Sequence, residues 1–207
     1  MPVFQLLRIR ELERSRSAAT APTPPTVRSR ARCQFLRAVS SPWRRFGSAS
    51  LVEVTSDSGS IRVVGDDEES VRVVIRLEEG WSRIERVARV DGDRLVLSAA
   101  CPVFSGPFCS ATYEVHVPRR LDVVARSENA DVGASDVDGA VTAGSSNGDV
   151  AGTRLGGEAE LTTDNGSVEG IDLTGEEVVA SSSNAFNCWR CFDIRPLAVA
   201  AAAARPA

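Results

Sequence analysis

The sequence predicts an all-β chain wound as a single-chain β-solenoid (a β-helix, right-handed by analogy with others of this coil length), and three observations lead there. LDVVARSENADVGASDVDG (121–139), AVTAGSSNGDVAGTRLGG (140–157) and EAELTTDNGSVEGIDLTG (158–175) superpose with Asn129, Asn147 and Asn165 eighteen residues apart. A fourth copy, EEVVASSSN, starts at Glu176 and brings Asn184 one residue late. Self-similarity at a short period means stacked units, each too small to bury a core alone. Apolar residues recur two apart with polar residues between them, which is the strand period. The Asn-Gly pairs at 147–148 and 165–166 mark tight turns, where Asn and Gly tolerate the positive φ that corners demand.

Counting from each Asn gives the core. Six residues before it stand Val123, Val141, Ala159 and Val178, and four before it Ala125, Ala143, Leu161 and Ala180. Three after it come Val132, Val150 and Val168, and eight after it Val137, Leu155 and Leu173. Each unit is therefore two or three short strands burying three or four small side chains. The regular repeats contain neither Trp nor Tyr, so their interior is narrow and leaves no room for a ligand. Recognition belongs on the outside.

Upstream, LVEVTSDSGSIRVVGDDEESVRV shows the same grammar with Ser58-Gly59 at the turn, Val52 and Val54 before it and Ile61 after it. IERVARV, Asp91-Gly92-Asp93 and RLVLSA then read as a hairpin on the Asp-Gly turn. TYEVHVP (112–118) is a further alternating strand, ended by Pro118. The order is one opening coil, an irregular β excursion, then regular coils to Asn184. At ~4.8 Å between neighbours, five or six coils would make a rod roughly 25–30 Å long.

Three regions follow: a basic leader over 1–48, the repeat domain over 49–187, and an irregular Cys- and Ala-rich tail over 188–207. The leader carries ten Arg against two acids, whereas residues 49–207 carry fourteen Arg against twenty-six acids, and lysine is absent. Runs such as RSRSAATAPTPPTVRSRAR read as disorder. No recognisable signal peptide stands in the leader, because Arg8 and Arg10 break its apolar stretch. A basic arm is a nucleic-acid or anionic-lipid feature, but the acidic body would repel phosphate, so no nucleic acid is expected for the folded domain. The apolar run 197–204 is far shorter than the ~20 residues that span a bilayer, so no transmembrane segment is expected. The acidic composition fits a GC-rich genome and a high-salt habitat alike.

The chemistry-bearing residues are few. His116, the sole histidine, alternates with Val115 and Val117 and so faces outward, without a Ser-His-Asp constellation around it. Cys188 and Cys191 form an isolated CxxC, and a structural zinc needs four ligands. Cys101 and Cys109 flank a loop that could close as a disulfide in an exported protein. Asp131 and Asp149 share one offset and should stack about 5 Å apart, near the spacing of a retaining glycosidase pair, although Ser167 follows at the same place. Asp136, Arg154 and Asp172 alternate in sign at another offset and read as cross-strand pairing. No calcium-roll repeat is present, so neither a metal nor a cofactor is expected.

VEVTSDSGSIRVVGDD, then YEVHVPRRLDVVARSENADVGASDVDG, then the SSNGDV and TTDNGSVEG coils together resemble the putative-adhesin β-strand-repeat family of prokaryotes. The resemblance covers about 49–184. It implies a β-solenoid, exported or membrane-tethered, hence extracytoplasmic or at the cell surface, and it supplies no catalytic residue. The expected function is a non-enzymatic, adhesin-like or envelope interaction module with an unnamed surface partner. The alternative is a polysaccharide-acting β-helix enzyme using Asp131 and Asp149.

Overall fold

The computed structural model describes residues 37–40, 44–47, 49–103, 108–184 and 199–203. Among them the chain is all β, with no helix. The rest of 1–48, with its expected disorder, and the Cys188–Cys191 pair lie outside the described residues.

The strands, in chain order, begin with β1 (Arg37–Ser40), β2 (Arg44–Phe46), β3 (Leu51–Ser56), β4 (Ile61–Asp66) and β5 (Val71–Glu79). They continue with β6 (Glu85–Asp91), β7 (Arg94–Ala100), β8 (Cys109–Pro118), β9 (Asp122–Ser127), β10 (Val132–Ser135) and β11 (Val141–Ser145). The last five are β12 (Val150–Leu155), β13 (Ala159–Thr163), β14 (Val168–Leu173), β15 (Val178–Ser182) and β16 (Val199–Ala203). They form two mixed sheets. One runs β1-β5-β8-β4-β10-β12-β14 with β2 also on β5, and the other runs β16-β15-β13-β11-β9-β3-β7-β6.

From residue 121 each sequence repeat gives one strand to each sheet, and the pairing is parallel. Val132, Val150 and Val168 align across β10, β12 and β14, and Val123, Val141 and Ala159 across β9, β11 and β13. The next step, Ala159 to Val178, is nineteen residues, which absorbs the late Asn184. The opening segment joins the same ladders through β3 on β9 and β4 on β10. Antiparallel pairs mark the irregular stretch: β5 on β8, and the β6–β7 hairpin with Asp91 opposite Arg94 around Gly92 at φ 67°. Strands also form ahead of residue 49, since β1 and β2 both pair antiparallel with β5.

Alternate residues of both sheets face one apolar core. Val123, Val141, Ala143, Val150, Leu155, Leu161, Val168 and Leu173 are all buried within it. In the irregular part the core changes character, because Tyr113 on β8 is the largest fully buried side chain. The narrow Val-Ala interior expected for the repeats does not extend to that end.

The corners differ from expectation. Positive φ falls on Gly59 of the Ser58-Gly59 turn (118°) but not on the Asn-Gly pairs; it falls instead on Asp136 (60°), Arg154 (52°) and Asp172 (54°), the same position of three successive units. Asp occupies the left-handed region at little cost for a non-glycine residue. Gly148 and Gly166 serve close approach instead. A Cβ on Gly148 would lie 2.4 Å from the Ala130 carbonyl, and one on Gly166 2.1 Å from the Gly148 oxygen.

Candidate functional site

Side chains at the Asn corner are consumed in holding one unit to the next. The Asn147 amide donates from Nδ2 to Asn129 Oδ1 at 3.1 Å, Asn165 to Asn147 at 3.0 Å, and Asn184 to Asn165 at 3.0 Å. Asn129 donates to the Asp57 carbonyl at 2.9 Å, so the opening segment is tied in as well. The amides of Asn147, Asn165 and Asn184 thus each satisfy a carboxamide in the preceding unit, and the chain of bonds fixes register.

Asp131 and Asp149, the two carboxylates of the enzymatic alternative, sit just past this corner. Asp131 Oδ1 accepts the Asp149 backbone N–H at 2.9 Å. Asp149 Oδ1 accepts both the backbone N–H and the hydroxyl of Ser167, each at 2.8 Å. The Ser167 N–H, helped by its hydroxyl, holds the Asp149 carboxyl below its ordinary pKa against the opposing effect of burial. A general acid needs the opposite shift.

Arg154 forks onto Asp136 through Nε and Nη2, both at 2.7 Å. That hydrogen bonding lowers the Asp136 pKa although burial opposes it. Asp172 acts on Arg154 only at longer range, so the alternating triad resolves into one bidentate pair and a more distant charge. His116 is not the solvated histidine expected of an outward position. Its Nδ1 lies 3.4 Å from Asp66 and its Nε2 3.4 Å from Glu114, with Arg72 bonded to the same Asp66. Parallel pairing of β4 with β8 sets Val64 opposite His116 and brings Asp66 alongside, a juxtaposition that strand periodicity alone does not reveal.

A row of buried hydroxyls was missed although a signal for it stood in the sequence. Two residues before each corner come Ser56, Ser127, Ser145, Thr163 and Ser182, all buried. Ser145 donates to the Ala130 carbonyl at 2.9 Å, Thr163 to Gly148 at 2.8 Å and Ser182 to Gly166 at 2.7 Å. These hydroxyls satisfy corner carbonyls that would otherwise be buried without a partner. Only Ser or Thr occurs at that offset.

Above the row runs a surface groove of about 380 Å³ across β3, β9, β11 and β13. Gly144, paired with Arg126 on one side and Thr162 on the other, opens a notch in its wall. Thr55, Ser146 and Thr162 offer hydroxyls, and Asp57, Glu128 and Asp164 offer carboxylates. The arrangement can exchange hydrogen bonds with a polar surface. Among the described residues no group of three or more His, Cys, Asp and Glu could hold a metal ion, and no helix is long and apolar enough to cross a membrane. Cys101 and Cys109 form a disulfide. Near it Trp81 and Val103 are exposed.

No protein-family model and no curated protein matches the chain. Among solved structures it is similar to a putative cell adhesion protein from Clostridium sporogenes, at 10% identity and a TM-score of 0.40, over 70% of this chain and 73% of that one. It is similar to a putative lipid binding protein from Parabacteroides distasonis at 12% identity and a TM-score of 0.38, over 71% and 64% of the two chains. A putative adhesin from Parabacteroides merdae matches at 8% identity and a TM-score of 0.25, over 80% and 95%.

Proposed function

We propose that this chain is a non-enzymatic, adhesin-like interaction module of the cell envelope, of the kind its resemblance to the putative-adhesin β-strand-repeat family implies. Its body, 49–187, is a right-handed β-solenoid flanked by a basic leader (1–48) and a tail (188–207). The eighteen-residue register of β10, β12 and β14 and of β9, β11 and β13 supports the solenoid.

One observation carries the non-enzymatic reading. Asp131 and Asp149 each direct Oδ1 to the backbone of the following unit, and the Ser167 N–H and hydroxyl lower the Asp149 pKa. They work as ladder rungs. The groove beside the corner is shallow and hydroxyl-rich, which suits adhesion to a polar envelope surface. The Cys101–Cys109 disulfide favours an oxidising, extracytoplasmic setting.

The test uses two readouts on one preparation. Beads coated with the chain should retain envelope fragments, and Gly144→Arg, which fills the notch and whose Cβ would press on Thr162 Oγ1 at 3.2 Å, should abolish retention in a variant shown by its thermal melt to be folded. Against a polysaccharide panel the parent should release no reducing ends. Release that disappears in an Asp131→Asn/Asp149→Asn double variant would promote the enzymatic alternative. Equal retention by parent and Gly144→Arg would remove the groove from the interface.

A further inference from the structure

Where the irregular strands close the core, the two sheets part around a cavity of about 270 Å³. Val73, Ile75 and Leu97 form its apolar floor, and all three are buried. Its rim comes from two edge strands, β2 on one sheet and β6 on the other. Arg44 pairs with Val73 and Phe46 with Val71, so both occupy inward-facing positions of β2. Arg86 pairs with Ala99 and Ala88 with Leu97, which places them on the inward face of β6. Two arginines of like charge therefore stand on opposite walls of one cleft, both exposed at its mouth above an apolar floor. Neither forms an ion pair with a described residue.

That is an unusual use of the inward face. Both arginines are exposed at the mouth of the cleft, and an anion seated between them would gain a charge-assisted hydrogen bond from each. A second polar group lies nearby without a partner. The Tyr113 side chain, fully buried on β8 beside Ile75, has a hydroxyl that meets no hydrogen-bond partner among the described residues. Burial raises its pKa, and the Arg86 charge reaches far enough to oppose that rise.

We propose that this inter-sheet cleft binds a single-chain anionic amphiphile, its carboxylate held between Arg44 and Arg86 and its tail laid against Phe46, Val73, Ile75 and Leu97. The volume lies just below the ~300–1,000 Å³ usual for ligand pockets, which selects a short or medium chain over a two-tailed lipid. The inference stands independently of the groove on the outer face and of the adhesive role.

Titration calorimetry with the full chain and monomeric decanoate tests it, with decanol as the uncharged control. Saturable one-to-one binding of decanoate is expected, weaker by about tenfold or more in an Arg44→Gln/Arg86→Gln variant, while decanol binds parent and variant alike. Arg44→Lys/Arg86→Lys should recover part of the loss, and Ala88→Trp should exclude both ligands by filling the cleft. Thermal melts confirm that each variant is folded, and Arg86→Gln alone replaces a double variant that is not. No saturable decanoate binding, or equal affinity in parent and Gln variant, overturns the proposal. So does binding to phosphatidylglycerol vesicles without binding to monomeric decanoate, which would assign the arginines to a bilayer surface. Inward charges also block edge-to-edge strand pairing. A Gln variant that self-associates, from a parent that ignores decanoate, would give them that role instead.

Discussion

Asp136 does two jobs with one side chain. Its backbone takes a left-handed corner at φ 60°, and its carboxylate receives both prongs of Arg154. Asn would keep the corner, because it shares the tolerance for that region, but would lose the charge. The Asp136 pKa is lowered from 3.8 in the fold. Its contribution is therefore complete at pH values above about 3.8 and is lost as pH falls through the depressed folded value. Asp136→Asn should melt slightly below the parent at pH 7, and the gap should close between pH 4 and pH 2. The difference is small because Arg154 is largely exposed and water screens the pair. Thermal midpoints across that range check it, and a gap that persists unchanged at pH 2 would contradict the assignment.

At the level of the strand, burial decides. Leu161 on β13 is fully buried and pairs with Ala143 on β11 and Ala180 on β15. Its side chain also packs over Gly152, where an added Cβ would meet Leu161 Cδ1 at 2.9 Å. Leu161→Asp combines a cavity with an unpaired carboxylate, a loss of ~4 kcal/mol or more against a total of about 5–15 kcal/mol. Cooperative melting should vanish or move far down in temperature. A midpoint within a few degrees of the parent would mean that Leu161 faces solvent and that the register is one residue out. This register was legible because strand periodicity and repeat period speak together: every apolar offset counted from Asn129, Asn147 and Asn165 lands on the inner face. The buried hydroxyl row was equally legible but reads as ordinary polar filler, since Ser and Thr also suit exposed turns. Left-handed corners at Asp136, Arg154 and Asp172 were hidden by a rival signal, the Asn-Gly pair, whose glycine turns out to answer crowding between units. Cross-sheet meetings were not legible at all. The cleft under Arg44 and Arg86 arises from antiparallel insertions, and the seat of His116 beside Asp66 from the parallel pairing of β8 with β4, neither of which repeat arithmetic describes.

Over the whole molecule the balance of charge sets a competition that salt can decide. Residues 49–207 carry fourteen Arg against twenty-six acids, a net of −12. Unit stacking brings some of these acids into rows, as with Asp131 and Asp149 joined through successive backbones. Two opposing effects respond to added sodium chloride. Screening weakens surface pairs such as Arg119–Asp67 and Arg94–Glu53, both largely exposed, and pairs of that kind contribute only about 0–1 kcal/mol each. Screening also relieves the self-repulsion of a strongly acidic body, which acts between all its carboxylates at once. The Debye length falls from about 10 Å at 0.1 M to about 3 Å at 1 M. Repulsion is the larger account, so the thermal midpoint should rise between 0.05 M and 1 M sodium chloride. Chloride is the right anion for the measurement, because sulfate would strengthen apolar burial in any protein and mask the charge effect. A midpoint that falls with salt would mean that the ion pairs outweigh the net charge.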